Sequence, residues 1–86
     1  MEEYFLTDHA FMEMRRRDIT EEEVKKVMTS PEQKVNVREG RYVYQSRLTF
    51  GEPPRLYLVR VFVDVDREPK EIVTGYRTSK IEKYWR

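Results

Sequence analysis

The chain has 86 residues, a net charge of +1, 38% charged residues and no cysteine, which suits one domain over 1–86 with a single small core. Without cysteine there are no disulfides, thiolate metal sites or thiol nucleophile, and a lone imidazole leaves zinc without a ligand set, so no metal or cofactor is expected. No apolar run approaches the roughly 20 residues of a membrane span, and the acidic start MEEYFLTD has no leader pattern, so a soluble, cytoplasmic protein without membrane contact is expected.

The charge is unevenly spread. Residues 1–33 carry 5 basic and 9 acidic groups, and residues 34–86 carry 12 and 7. A basic C-terminal half suits a polyanionic partner, although the excess is modest.

Helical spacing of Ala10, Phe11 and Met14 predicts a first helix from Thr7 or Asp8 to about Arg17. His9 lies in its first turn. An imidazole there suits general acid–base work near neutral pH, or simply caps and packs the helix. Arg15, Arg16 and Arg17 cannot act as one unit, because successive helical residues fan out by about 100°. Their place near a helix C-terminus is also what the macrodipole favours. Arg17, seven residues beyond Ala10 and three beyond Met14, is the one expected to face inward.

A second helix is marked by Thr20 as N-cap, Glu23 as its capping-box partner, and Ile19 with Val24 as a hydrophobic staple. Val24, Val27 and Met28 form its apolar stripe, and Ser30–Pro31 ends it. The period then changes to alternation. QKVNVR, RYVYQSRLTF, RLYLVRVFVDVD and EIVTGYRT read as strands separated by short turns, and SKIEKYWR reads as a short helix or ordered tail. The predicted fold is α+β: two N-terminal helices packed on a four-stranded antiparallel meander.

Alternation in RLYLVRVFVDVD places Tyr57, Val59, Val61, Val63 and Val65 beneath the helices. Leu58, Arg60, Phe62 and Asp64 then point to the opposite, open face. A mid-strand arginine there is either paired structurally or aimed at an anion. Thr74 and Tyr76 share a face and can present hydroxyls to a phosphate beside Arg77, Thr78 and Lys80, or they belong to a β-rich edge strand. Tyr42 and Tyr44 offer base-stacking surfaces or half-buried core. Asp64, Asp66 and Glu71 read as solvated turn residues in preference to a cation site. Trp85 reads as an anchor for the tail. No Walker loop, nucleophile elbow, HExxH or GxGxxG is present.

The stretch TDHAFMEMRRRDITEEEVKKVM resembles the opening of a group of small bacterial domains with the pattern H-A, then M, then R-x-I-[ST]-x-x-E-[VI]. Gly40 to Tyr44 matches their G-x-x-x-Y hairpin, and Ile72, Val73, Thr74 and Tyr76 match their closing I-V-T-x-Y strand. The group, usually described as a domain of unknown function, is similar to RelE- and BrnT-like toxins within the barnase, colicin and RelE group of metal-independent ribonucleases. Many of its members have glycine where this chain has Asp18, and arginine where it has Glu13.

The resemblance implies a toxin of a type II toxin–antitoxin module that cleaves mRNA or tRNA, with RNA and a cognate antitoxin as partners. It implies a site of His9, Arg60, Thr74 and Tyr76. His9 would be base or acid, Arg60 would clamp the phosphate with Arg17 or Arg77, and Thr74 and Tyr76 would bond its oxygens. Tyr44 and Lys80 complete the expected substrate contacts. The alternative is a non-catalytic RNA- or protein-binding module on the same scaffold. A third reading is an interaction protein associating through a strand edge or the aromatic tail. The expected state is a monomer or weak homodimer.

Overall fold

The computed structural model describes residues 3–86. Among these, five strands and three helices follow in the order β1 (Tyr4–Leu6), α1 (Asp8–Arg16), α2 (Glu21–Thr29), β2 (Gln33–Arg38), β3 (Arg41–Phe50), β4 (Arg55–Asp64), β5 (Lys70–Thr78) and α3 (Ile81–Tyr84). β2 to β5 form the expected antiparallel meander. The expectation of four strands is corrected by β1, which pairs parallel with β5 and gives the sheet order β1-β5-β4-β3-β2. A three-residue strand shows almost no alternation, so only its distant partner reveals it.

Thr7 caps α1 by accepting from the Ala10 backbone at 3.0 Å. Thr20 and Glu23 close the capping box of α2 with bonds of 3.2 and 2.8 Å. Nine-residue helices are marginal alone, so docking of their apolar stripes holds them. Ala10 and Met14 of α1 join Val24, Val27 and Met28 of α2 against Val59, Val61 and Val63 of β4. Each such side chain contributes about 1.5–3 kcal/mol when fully buried. α1 lies mainly on β5, and α2 on β3 and β4.

The opposite face is not open. α3 and the residues after it lie across it, with Tyr84 over Arg60 and Trp85 over Arg47. Val43 and Leu58 on that side are fully buried. Among the described residues no helix is long and apolar enough to cross a membrane.

Candidate functional site

The predicted site residues divide into two groups. The first joins α1 to β5. His9 is 76% exposed, and its Nε2 lies 3.4 Å from Glu13 Oε2, one helical turn on. Thr74 Oγ1 donates to Glu13 Oε1 at 2.8 Å. Arg17 Nη1 donates to the Gly75 carbonyl at 2.9 Å and to Thr74 Oγ1 at 3.3 Å. Imidazole, carboxylate, hydroxyl and guanidinium therefore form one chain at the surface. The Thr74 hydrogen bond, with smaller help from the charges of His9, Arg17 and Arg16, holds the Glu13 carboxyl below its ordinary range against partial desolvation. Glu13 stays ionised between its neighbours.

Local sequence explains this geometry. His9, Glu13 and Arg17 recur every four residues, so they line one helix face. Gly75 lets α1 approach, since a Cβ there would stand 2.8 Å from Met14 Sδ and 3.0 Å from the Arg60 carbonyl. In β5 the pairing shifts between Phe62–Thr74 and Val63–Ile72, leaving Val73 as an extra residue. A bulge re-aims nearby side chains. Thr74 bonds α1, whereas Tyr76 bonds Arg60, so the expectation that their hydroxyls converge on one phosphate is corrected.

The second group is a row across the sheet. Gln33, Gln45, Arg60 and Tyr76 occupy paired positions on β2, β3, β4 and β5. Gln45 Nε2 donates to Gln33 Oε1 at 2.8 Å, Arg60 Nε to Gln45 Oε1 at 2.9 Å, and Arg60 Nη1 to the Tyr76 hydroxyl at 2.7 Å. Arg60 is buried rather than presented on an open face, at 8% exposure. Its guanidinium carbon lies 4.2 Å from the Tyr84 ring centre and 5.4 Å from that of Phe62. Burial raises the Tyr76 phenol, and hydrogen bonding with Tyr76 is the main cause lowering that of Tyr84. Among the described residues no hydrogen bond or ion pair joins this row to His9, Glu13, Arg17 or Thr74. His9 and Arg60 therefore belong to two separately bonded groups.

The remaining candidates stand elsewhere. Tyr44, expected as a stacking surface, is 2% exposed in the core on the helix side, and its hydroxyl accepts from Lys70 Nζ at 3.3 Å. Tyr42 packs against the same core. Its pairing with Val63 fixes that face. Arg77 stacks on Phe50 and Tyr57 at 4.3 and 4.9 Å, with Asp18 3.8 Å away. Lys80 is an exposed residue preceding α3, and its backbone N–H donates to Thr78 Oγ1 at 3.1 Å. Asp64 is a buried partner of Arg41 and not a solvated turn residue. Among the described residues no three His, Cys, Asp or Glu are grouped to hold a metal.

Sequence reading missed Glu13, Gln33, Gln45 and Tyr84. The spacing of Glu13 four residues after His9 was visible. The glutamines and Tyr84 acquire meaning only from strand register and the path of the tail. A family model described as Domain of unknown function (DUF4258) matches residues 6–77, which include His9, Glu13, Arg17, Arg60, Thr74 and Tyr76 and stop short of α3. No curated protein and no solved structure matches the chain. On a match over most of its length, the chain belongs to the DUF4258 family.

Proposed function

We propose that the protein is a metal-independent endoribonuclease of the toxin type, acting on mRNA or tRNA through the α1–β5 group. One observation carries this reading: Glu13 bridges His9 and Thr74 beside Arg17 at a solvent-facing edge. Cleavage of an RNA phosphodiester requires a base for the 2′-hydroxyl, an acid for the leaving 5′-oxygen, and cationic donors for the phosphorane. Ionised Glu13 accepts the 2′-hydroxyl proton as the 2′-oxygen bonds to phosphorus. The bond from phosphorus to the 5′-oxygen then breaks, and the His9 imidazolium gives that oxygen its proton. The products are a 2′,3′-cyclic phosphate and a 5′-hydroxyl. Among the described residues Arg17 side-chain hydrogen bonds run only from Nη1, leaving Nε and Nη2 for the phosphate oxygens.

The HA…M…R-x-I-T motif resembles that of a group of small domains similar to RelE- and BrnT-like toxins, and this resemblance supports the same reading, with the cytoplasm as its setting and a protein antitoxin as partner. His9→Ala and Glu13→Gln should each lower cleavage of total RNA in excess EDTA by about 10²–10⁴-fold, with cyclic-phosphate ends on the wild-type products. Growth arrest on induced expression should be lost in parallel. Undiminished cleavage by both variants would refute these roles.

The division of the predicted site favours a second reading, a non-catalytic RNA- or protein-binding module. Its mark is that losing the Arg17 and Arg77 charges weakens binding while His9→Ala changes nothing.

A further inference from the structure

Phe50 at the end of β3 and Tyr57 on β4 form an aromatic corner, with ring centres 5.6 Å apart and planes at 88°. Arg77 of β5 fills it. Its guanidinium carbon lies over the Phe50 ring at 4.3 Å and over the Tyr57 ring at 4.9 Å. Its nearest carboxylate is Asp18 at 3.8 Å, beyond hydrogen-bond distance and itself 82% exposed. A guanidinium has five N–H donors, and among the described residues those of Arg77 make no hydrogen bond. Since no buried side-chain nitrogen lacks a partner, they reach solvent, and the side chain is 24% exposed. Two rings therefore fix the group in place while its donors and outer surface stay available.

A bare charge has no need of this setting, because a phosphate is served as well by a flexible cation. A guanidinium seated over a ring is the second layer of a stack, and unpaired bases stack on aromatic and arginine planes alike. The corner also adjoins the proposed cleavage group. Arg77 pairs with Val59, a residue of the helix-side core, so it faces the side on which α1 lies. Arg17 Nη1 holds the Gly75 carbonyl at 2.9 Å, two residues before Arg77 on the same strand, a rise of roughly 7 Å. Asp18, next to Arg17 in the chain, stands between the two guanidinium groups.

We propose that Arg77, set in the Phe50–Tyr57 corner, is a stacking subsite for the unpaired nucleobase that adjoins the cleaved bond, with purines preferred for their larger ring surface. The subsite rests on the ribonuclease reading. It gives Arg77 to the base and leaves the phosphate to Arg17.

The test measures binding of labelled deoxyoligonucleotides, which lack the 2′-hydroxyl that cleavage needs, by fluorescence anisotropy of the full-length protein. An oligodeoxyadenylate, an oligodeoxycytidylate and an abasic strand with the same number of phosphates are compared at matched ionic strength. The wild type should bind the adenylate about tenfold more tightly than the abasic strand, with the cytidylate between them. The Arg77 Nε–H resonance should move upfield with the adenylate and not with the abasic strand. Arg77→Lys keeps the charge and loses the plane, so it should hold the abasic strand as the wild type does and bind all three alike. Equal affinity of the wild type for the three strands overturns the subsite and leaves a phosphate contact alone. A folded Arg77→Lys that still discriminates overturns Arg77 as the stacking plane. Discrimination by a wild-type protein that cuts no RNA supports the stack while refuting the ribonuclease reading, so the two failures stay distinct.

Discussion

Asp18 holds a left-handed backbone conformation, φ 59°, between the end of α1 and the buried Ile19. Only glycine adopts that region without strain, which accounts for the glycine that many resembling sequences carry there. The Asp18 carboxylate gains little in return, because it is 82% exposed and 3.8 Å from Arg77. Asp18→Gly should stabilise the fold by about 0.5–1 kcal/mol, read as a higher urea midpoint at unchanged slope; a lower midpoint would show that the aspartate side chain matters more than the strain. Glu13 carries a similar lesson. As a departure from the arginine of similar sequences it read as a lost positive charge, yet its place one turn after His9 makes it the residue that joins α1 to Thr74.

At the scale of elements, the parts with local causes were the legible ones. α2 is written in its capping box and staple, and the structure returns both bonds of the box with Ile19 and Val24 buried in one cluster. Thr20→Ala removes a cap and should lower stability by about 1 kcal/mol, measured by thermal and urea unfolding. A midpoint equal to wild type would mean that tertiary packing alone fixes the start of α2. The alternation of β4 also placed its valines correctly beneath the helices. β1 and the Val73 bulge were illegible because neither has a local signal. A bulge is a mismatch between two strands, and a single strand's sequence does not contain it.

At the scale of the whole molecule, one end of the β3–β4 ladder is closed by charge, where Arg41 faces Asp64. Asp64, 6% exposed, accepts from Arg41 at 2.6 and 3.2 Å, with Arg67 at 3.5 Å. The Arg41 hydrogen bond above all holds its carboxyl below the ordinary aspartate range. A carboxyl lowered by folding adds stability that is complete above its unfolded pKa, about 3.9. That stability is lost as pH falls through the folded value, because protonation then favours the unfolded chain. Arg41→Gln, which leaves Arg67 beside Asp64, should therefore cost about 1–3 kcal/mol near neutral pH and flatten the acid limb from about pH 5 downward. Urea midpoints measured down that range check it, and an acid limb as steep as in the wild-type protein would exclude Asp64 as its source.

What the sequence determined by itself was whatever depends on neighbours within a few residues: the first two helices and the capping box of α2, the four longer strands, the α+β class, and the inward face of β4. Period and capping act over one or two turns, so they can be read from one stretch of chain. The tertiary structure decided the grouping of the functional side chains. Glu13, beside His9, meets Thr74, and Arg60 meets Gln45 and Tyr84, across separations that only sheet register and the path of the tail can span. The family resemblance made His9 and Arg60 candidates for one site. The two sides of a sheet keep them in two, because successive strand residues point to opposite faces, with α1 and α2 on one and α3 with the tail on the other.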